Sequence, residues 1–307
     1  MKKLLCVGQS TYDITYIMDE FPLENRKYKI DSTKMMGGGP SGNAAYLLGK
    51  YKENVSHITT LGKDLYGEEI IKEFKSVNVD LNSALISEKY HTPCSMIITN
   101  IINGTRTILN HREKNYIPNN FILKYKTPPK IILFDGHELE IARKTLKEFP
   151  EAITVLDAGS FKESCVELGE KVTYLVSSED FAREYAKVDI INDDNILDVF
   201  STLEILNKNN VVITLGEKGC IFRIEEEIFC HPAYITNAVD TTGAGDIFHG
   251  AFVYALSNNF DFIKSIKFST VCASLSVEKI GGRESIPNLN EVFQRMDNWD
   301  CNIIKLK

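Results

Sequence analysis

The amino-acid sequence predicts an α/β protein with a mostly parallel central sheet and a small antiparallel sheet outside it. From about residue 130 onwards, strand-like and helix-like segments alternate, which is typical of βαβ units joined by right-handed crossovers. Two earlier stretches, residues 12–36 and 92–112, read as antiparallel strands instead. A chain of 307 residues is long enough for such a layered body with a sizeable core.

Composition and charge limit the possible functions. The net charge of −7, without a long basic run, argues against a nucleic-acid partner. No apolar run approaches the roughly 20 residues that a membrane span needs, and the N-terminus does not resemble a signal peptide. The seven cysteines are scattered without a CxxC pair, which is typical of reduced thiols in the cytosol. The histidines form no HExxH pattern, so a zinc site is not expected.

The first elements alternate strands with glycine-rich turns. Lys3–Val7 is a short apolar run that ends at Gly8, as expected for a central strand, and no G-x-G-x-x-G follows it. Asp13 lies in the strand-like stretch after that turn, where an acid is either a solvated strand residue or a ligand-binding one. The loop Gly37–Asn43 brings backbone close to any ligand, and Pro40 within it can open a helix. Taken alone, this loop is only a turn signal.

The remaining elements follow from periodicity and turn chemistry. A strand at 57–62 precedes a helix with Ile70 and Phe74 on one face. Asn103-Gly104 between two strand-like runs is a strong hairpin signal. Beyond these, we expect strands at 131–135, 153–157, 174–177, 211–215, 221–224 and 227–230, and helices at 138–149, 178–187, 195–207, 261–277 and 289–296.

The stretch Val239–Gly250 reads as a loop that becomes a buried helix. A glycine-rich loop that feeds a helix N-terminus offers unpaired N–H donors and the positive end of the dipole, which suits phosphate. Asp246 falls in the first turn of that helix. It is either a proton acceptor beside the phosphate or an acid that only complements the helix dipole.

Several of these features should meet at one edge of the sheet. In an open parallel sheet, ligands bind outside the carboxyl ends of the strands. Residues that directly follow predicted strands would collect there, namely Gly8, Asp13, Asp135, Ser177 and Gly216. The antiparallel strands would then form a lid that excludes water from the site.

Two motifs resemble those of the ribokinase-like, or phosphofructokinase-B type, carbohydrate kinases. They are Gly38-Gly39-Pro40-Ser41-Gly42-Asn43 and Asp240-Thr241-Thr242-Gly243-Ala244-Gly245-Asp246, and Gly62–Gly67 and Ile213–Gly219 lie between them in the family's order. The resemblance covers essentially the whole chain. It implies an αβα sandwich with a mostly parallel central sheet, whose body spans residues 1–11, 37–91 and 113–307, and a small antiparallel β lid from residues 12–36 and 92–112.

The resemblance also implies chemistry: transfer of the γ-phosphoryl group of ATP to a sugar hydroxyl. Asp246 would be the general base, and the N–H groups of Gly243, Ala244 and Gly245 would form an anion hole. The residues implied to bind the sugar are Asp13, Gly38, Gly39 and Asn43. Those implied on the nucleotide side are Thr214, Gly216, Gly219, Ala273 and Ser276.

Cation sites are implied in the same way. Asp240, Thr242 and Ser285 resemble a monovalent-cation site, so potassium is expected, and Mg²⁺ would arrive with the ATP phosphates. The family's N-x-x-E motif is replaced here, because Ser178 and Phe181 stand near its two positions. Glu179 is therefore either a ligand of magnesium-bound water or an acid at a helix N-terminus.

The acceptor is expected to be the primary hydroxyl of a ketohexose-like sugar. Lys27, Asn110 and His137, with Arg112, would contact its far end or an anionic substituent there. Enzymes of the branch that phosphorylates sulfofructose carry an arginine where His137 stands. Alternatives within the family are a ribokinase, a nucleoside kinase or a sulfofructose kinase. Outside it, the alternative is a non-catalytic homologue that binds sugar or nucleotide. A homodimer through the lid is also expected.

Overall fold

The computed structural model describes residues 3–102, 104–113, 123 and 127–306. Asn103, one half of the expected hairpin signal, lies outside this part of the chain. The strands are β1 (Lys3–Val7), β2 (Thr11–Met18), β3 (Thr33–Gly38), β4 (Asn54–Ile58), β5 (Thr60–Gly62), β6 (Leu85–Ser87), β7 (Cys94–Asn100), β8 (Arg106–His111), β9 (Ile131–Phe134), β10 (Ile153–Ala158), β11 (Tyr174–Ser178), β12 (Asn210–Thr214), β13 (Cys220–Ile224), β14 (Glu227–His231) and β15 (Ile304–Lys305).

Nine α-helices of the described residues alternate with these strands along much of the chain. They are α1 (Pro40–Lys50), α2 (Leu65–Ser76), α3 (Leu139–Glu148), α4 (Glu163–Gly169), α5 (Glu179–Ala186), α6 (Ile196–Leu206), α7 (Ala244–Ser257), α8 (Phe262–Ser276) and α9 (Leu289–Asp297). A short 3₁₀ turn follows β12 at Gly216–Lys218.

The main sheet has nine strands in the order β15-β14-β13-β12-β11-β10-β9-β1-β4. The pairings from β12 to β4 are parallel, whereas β13, β14 and β15 add antiparallel neighbours at one edge. Consecutive residues of the central strands face opposite helical layers: Leu133 belongs to one buried cluster and Phe134 to the other. Because both faces are covered, these strands read as continuous apolar runs.

The helices form two layers around this sheet. Apolar side chains of α1, α2, α7, α8 and α9 fill the cluster on one face, and those of α3, α4, α5 and α6 fill the cluster on the other. The expected αβα sandwich with a mostly parallel central sheet is therefore confirmed. The carboxyl ends of six parallel strands lie along one edge.

A second sheet has the strand order β3-β2-β7-β8. Strands β2 and β3 pair antiparallel, as do β7 and β8, which gives the expected small antiparallel elements. The two pairs join through β2 and β7, and this pairing is parallel. The expected small antiparallel sheet is confirmed, and the parallel join is an addition that the sequence did not predict; the body segments between residues 38 and 94 separate its two strands along the chain.

Four short elements were not expected from the sequence. They are β6, helix α4, the 3₁₀ turn after β12 and the two-residue strand β15. Segments of two to seven residues carry too few turns or alternations for a period to show. The helices of the described residues include none that is long and apolar enough to cross a bilayer.

Candidate active site

The N-terminus of α7 lies at the carboxyl edge of the main sheet. Gly243 precedes the helix with φ of 76°, a left-handed conformation that favours glycine, and the first helical bond runs from the Ile247 amide to the Gly243 carbonyl at 2.9 Å. The Ala244 amide donates to the Thr241 carbonyl at 3.3 Å. A Cβ atom on Gly245 would have no atom within 4 Å. The backbone N–H donors of the first turn of α7 therefore lie next to open space at Gly245.

Asp246 is half-buried beside this space and is held by Asn43. The Asn43 amide donates from Nδ2 to Asp246 Oδ2 at 2.7 Å. Burial raises the pKa of Asp246 to about 7, and the negative charge of Asp157 adds to the rise, whereas the Asn43 hydrogen bond and His249 oppose it. A carboxyl group that titrates near neutral pH is well suited to general base catalysis.

The loop that contains Asn43 rests on an ion pair between the buried Arg283 and the partly exposed Glu73. Arg283 Nη1 lies 2.6 Å from Glu73 Oε2, and the arginine is only 3% exposed. Glu73 Oε1 accepts the amide of Gly37 at 2.9 Å, and Arg283 Nε donates to Asn43 Oδ1 at 3.4 Å. A Cβ on Gly37 would lie 2.1 Å from the guanidinium, so glycine is required there by close approach.

Asp135 joins three segments at the sheet edge. Its carboxylate accepts the backbone amides of Gln9 at 2.8 Å, Ser41 at 3.2 Å and His137 at 2.9 Å. Asp135 is 1% exposed. These contacts make it a structural acceptor that fixes the ends of β1 and β9 against the start of α1.

Asp13 faces the same site from strand β2. The Thr11 hydroxyl donates to Asp13 Oδ1 at 2.7 Å, and a Cβ on Gly38 would lie 1.9 Å from Asp13 Oδ2. Burial raises the pKa of Asp13, and hydrogen bonds from Thr11 and Ser95 oppose the rise. Asn110 Nδ2 donates to Ser95 Oγ at 3.0 Å. Asn110 is thereby connected to Asp13 through Ser95.

The remaining residues expected at the far end of a sugar are dispersed. Lys27 is exposed in the connection between β2 and β3. Burial lowers the pKa of His137 to about 4, which leaves its ring uncharged at neutral pH. Arg112 Nη2 is bound by Glu138 at 3.0 Å and by the His137 carbonyl at 3.1 Å. Lys27, His137 and Arg112 therefore do not form a cluster of positive charges that could bind an anionic substituent.

Residues expected on the nucleotide side lie at the end of β12 and on α8. The Thr214 hydroxyl donates to the Ser177 carbonyl at 3.2 Å, and Gly216 has φ of 58° with no atom within 4 Å of an added Cβ. Gly219 has φ of 95°, and a Cβ there would lie 2.0 Å from the His231 carbonyl. Ala273 is half-buried, whereas Ser276 is buried and donates to the Ala273 carbonyl at 2.7 Å. The Ser276 hydroxyl thus points into its own helix.

The residues expected to hold a monovalent cation connect two loops. Asp240 Oδ1 accepts the amide and the hydroxyl of Thr242 at 2.9 and 2.6 Å, and Asp240 Oδ2 accepts the Gly281 amide at 2.9 Å. The Ser285 hydroxyl donates to the Gly282 carbonyl at 3.1 Å. Asp240 is 2% exposed, and the ion pairs among the described residues do not include it. A buried carboxylate without a cationic side chain fits a bound cation.

A divalent metal has no dedicated protein site within the described ranges. They contain no group of three histidine, cysteine, aspartate or glutamate residues that could hold one. Glu179 opens helix α5, whose N-cap is Ser178: the serine hydroxyl accepts the Phe181 amide at 3.1 Å. In this position Glu179 complements the helix dipole and also faces the carboxyl edge of the sheet.

Two side chains of the four-stranded sheet contact the loops around α7. Arg106 on β8 donates to the Thr241 hydroxyl, and Lys34 on β3 pairs with Glu284 and donates to the Ile280 carbonyl at 3.3 Å. Sequence reasoning missed these contacts. It also missed Glu73, Asp157 and His249, because an isolated acid or histidine on a helix or strand carries no local signal of its distant partner.

Known proteins match the chain along almost its whole length. Residues 1–289 match the pfkB family of carbohydrate kinases. The chain is 28% identical to the ribokinase of Lactococcus lactis over 317 residues, which cover 99% of this chain and 100% of that protein. It is 24% identical to the nucleoside kinase of Methanocaldococcus jannaschii over 311 residues, 97% of each chain. The structure of Arabidopsis thaliana ribokinase complexed with ribose and ATP gives a TM-score of 0.81 at 21% identity, covering 96% of this chain and 99% of that chain.

The fold and these matches define a carbohydrate kinase, a phosphotransferase that uses an alcohol group as acceptor. The chain belongs to the pfkB family of carbohydrate kinases, as the resemblance of its two glycine-rich motifs implied. Ribokinases and nucleoside kinases are among its relatives. The ketohexose favoured by the sequence is therefore not confirmed.

Proposed function

We propose that the protein transfers the γ-phosphoryl group of ATP to the primary hydroxyl of a small, uncharged sugar, with Asp246 as general base. The observation that carries this proposal is the 2.7 Å hydrogen bond from Asn43 to Asp246, beside the open space at Gly245. This hydrogen bond connects the loop expected to bind the sugar, Gly37–Asn43, to helix α7, which begins in the stretch expected to bind phosphate, Gly243–Gly245.

The proposed reaction needs positioning and charge stabilisation more than covalent chemistry by the protein. Asp13, Asn43 and the backbone of Gly38 and Gly39 would hold the sugar hydroxyls. The attacking hydroxyl would give its proton to Asp246 as the bond to phosphorus forms. First-turn amides at Gly243–Gly245 would stabilise charge on the transferred group, an effect typically worth a few kcal/mol per donor.

ATP would lie along the loops after β12 and against α8. Thr214, Gly216, Gly219, Ala273 and Ser276 form this side, and the free space above Gly216 supports it. Mg²⁺ would come with the ATP phosphates and supply charge neutralisation there, with Glu179 as its nearest proposed protein contact. A potassium ion at Asp240, Thr242 and Ser285 would offset the buried Asp240 charge.

An uncharged sugar fits the groups at the far end of the site. His137 is neutral, Arg112 is engaged by Glu138, and Asn110 is bound to Ser95. A sulfonate or phosphate substituent would find little free positive charge among them. Similarity to ribokinases supports ribose as the first candidate, and the ketohexose remains the second.

A panel of acceptors tests the proposed function. ADP release should be measured with ribose, deoxyribose, ketohexoses, sulfofructose and nucleosides, each with and without potassium. We expect a neutral free sugar to give the highest kcat/KM and potassium to increase it. Activity with nucleosides alone would contradict the sugar assignment, and the absence of turnover with every acceptor would favour the non-catalytic alternative.

We further propose that residues 12–36 and 92–112 act as a lid over residues 1–11, 37–91 and 113–307, and that two lids pair in a homodimer. One apolar residue from each lid strand lies in a single row, since Ile14 pairs with Met35 and Met96, and Met96 with Leu109. Met35, Met96 and Leu109 are 41–58% exposed. A second copy of the chain would cover this row.

A cytosolic location is proposed as well, supported by seven free cysteines.

A Leu109→Lys variant should weaken the proposed dimer, because it places a charge in the apolar row. Sedimentation velocity over a range of protein concentrations should show a wild-type dimer and a variant shifted towards monomer. Ile205→Lys, at an exposed position on α6, is the matched control and should leave the dimer intact. A wild-type protein that stays monomeric at high concentration contradicts the proposal.

A further inference from the structure

A buried histidine lies one turn after Asp246 on helix α7. The side chain of His249 is 2% exposed. Its Nδ1 lies 2.6 Å from the carbonyl oxygen of Gly245, and its Nε2 lies 3.1 Å from the carbonyl oxygen of Val176. Carbonyl oxygens only accept hydrogen bonds, so both contacts are hydrogen bonds only if each ring nitrogen donates one. A ring that donates from both nitrogens is an imidazolium cation.

Asp157, at the end of β10, provides the opposite charge. Its Oδ2 lies 3.2 Å from His249 Nδ1, and its side chain is 4% exposed. Burial raises the pKa of Asp157, and the positive charge of His249 is the main opposing effect. Lys162 also opposes the rise and Asp135 adds to it. A buried charge persists when it is paired and hydrogen-bonded, and both conditions are met here.

His57 shows that burial alone does not produce this state. Its Nδ1 lies 3.1 Å from the Cys6 carbonyl, but its Nε2 lies 2.9 Å from the Ser10 hydroxyl, which can donate. One ring proton therefore satisfies both contacts. Burial lowers the pKa of His57 to about 4, so the ring is neutral at neutral pH.

The contacts of His249 fix the peptide group that leads into Asp246. The Gly245 carbonyl and the Asp246 amide belong to one planar trans peptide, so they point in opposite directions. With the carbonyl held by His249, the amide points towards the N-terminal end of α7, where the space at Gly245 is open. Contacts to Asp157 and Val176 also tie this turn to strands β10 and β11.

We propose that Asp157 and His249 form a buried ion pair that positions the first turn of α7 and balances the charge around the general base. The inference rests on the proposed role of Asp246. Four groups face Asp246: Asn43 from α1, Asp13 from β2, Asp157 from β10 and His249 from its own helix. The two aspartates favour a proton on Asp246, and His249 and Asn43 disfavour it. Asp157 and His249 are thus positioning residues with opposite electrostatic effects.

Removal of either partner should shift the pH dependence of kcat/KM in opposite directions. On the acidic side, kcat/KM should rise with pH as Asp246 loses its proton, and the pH at half of the maximum is the midpoint. Asp157→Asn removes a negative charge, so this midpoint should fall. His249→Gln removes a positive charge, so the midpoint should rise. Each shift should be roughly 1 pH unit, as expected for the removal of one nearby charge. The Asp157→Asn/His249→Gln double variant should return towards the wild-type midpoint.

His57→Gln is the matched control, since it removes a buried but neutral histidine and should leave the midpoint unchanged. Unchanged midpoints in both single variants, or shifts in the same direction, would overturn the proposal. Asp246→Asn separates this outcome from failure of the proposed function. If that variant loses turnover while the pair variants keep the wild-type midpoint, the base assignment stands and only the ion-pair proposal fails.

A measurement on the unmodified protein covers the case in which the single variants do not fold. The ¹⁵N shifts of the histidine rings at pH 7.5 report directly which nitrogens carry protons. We expect both nitrogens of His249 to be protonated and only one nitrogen of His57. A neutral His249 ring would overturn the proposal whatever the activity of the enzyme.

Discussion

An Asp246→Asn variant should lose turnover by about a thousandfold while it still binds ATP, because a positioned general base typically contributes ~10²–10⁴ in rate. Asparagine keeps the size of the side chain but cannot accept the hydroxyl proton. In the wild-type enzyme, kcat/KM should rise as the pH increases through about 7, since only the ionised carboxylate is active. The variant should not show this rise of kcat/KM with pH. Rates of ADP release across pH, together with an ATP titration by calorimetry, test both statements.

The matched control separates a base from an acid that only complements a helix dipole. Asp198 is an exposed aspartate in the first turn of α6. An Asp198→Asn variant should keep nearly normal turnover, because dipole effects at exposed sites are usually about 0.3–1 kcal/mol in stability. Near-normal turnover of Asp246→Asn, or an equal loss in the two variants, would refute the base assignment.

An Arg283→Met variant should lose about 2 kcal/mol of unfolding free energy, because it removes the charged hydrogen bond from a buried guanidinium to the partly exposed Glu73 carboxylate. The guanidinium also contacts Asn43 and lies 4.4 Å from the centre of the Phe74 ring. Loss of the contact to Asn43 should raise the KM for the sugar, by roughly tenfold if about 1.4 kcal/mol of binding is lost. Urea unfolding and sugar-dependent kinetics measure the two effects.

Two further variants sharpen this test. Adding Glu73→Gln to Arg283→Met removes the leftover carboxylate and should restore part of the stability. Arg223 pairs with Glu204 at 2.6 Å, but both side chains are about one-third exposed. Arg223→Met should therefore cost less than about 1 kcal/mol. If Arg283→Met is as mild as Arg223→Met, the Arg283–Glu73 pair does not support the loop Gly37–Asn43.

The layered body could be predicted because its strands are apolar on both faces and its helices are long enough to show a period. The two glycine-rich loops could also be recognised, since their spacing to Asn43 and Asp246 is local. The parallel join between β2 and β7 could not, because it depends on how a body segment of more than 50 residues folds back. Nothing in the sequence of either strand encodes that register.

The candidate site was predictable where a residue lies within a motif. Arg283 and Glu73, which hold the amide of Asn43 and the backbone of Gly37, were missed because Arg283 lies 210 residues from Glu73 and 240 from Asn43, and Glu73 lies 36 residues from Gly37. His249 was missed for a similar reason: its charge follows from the carbonyl of Val176, 73 residues away. Lys27 lies in the exposed connection between β2 and β3, and its contact with a sugar stays a prediction.

The contacts of Asn43 have a consequence for the order of synthesis. A ribosome releases the N-terminal part of a chain first, so the loop Gly37–Asn43 is made long before its supports. Arg283 follows Asn43 by 240 residues, and Asp246 follows it by 203. If the proposed sugar site is correct, a sugar molecule would stabilise the chain by binding to it only after Arg283 has been made.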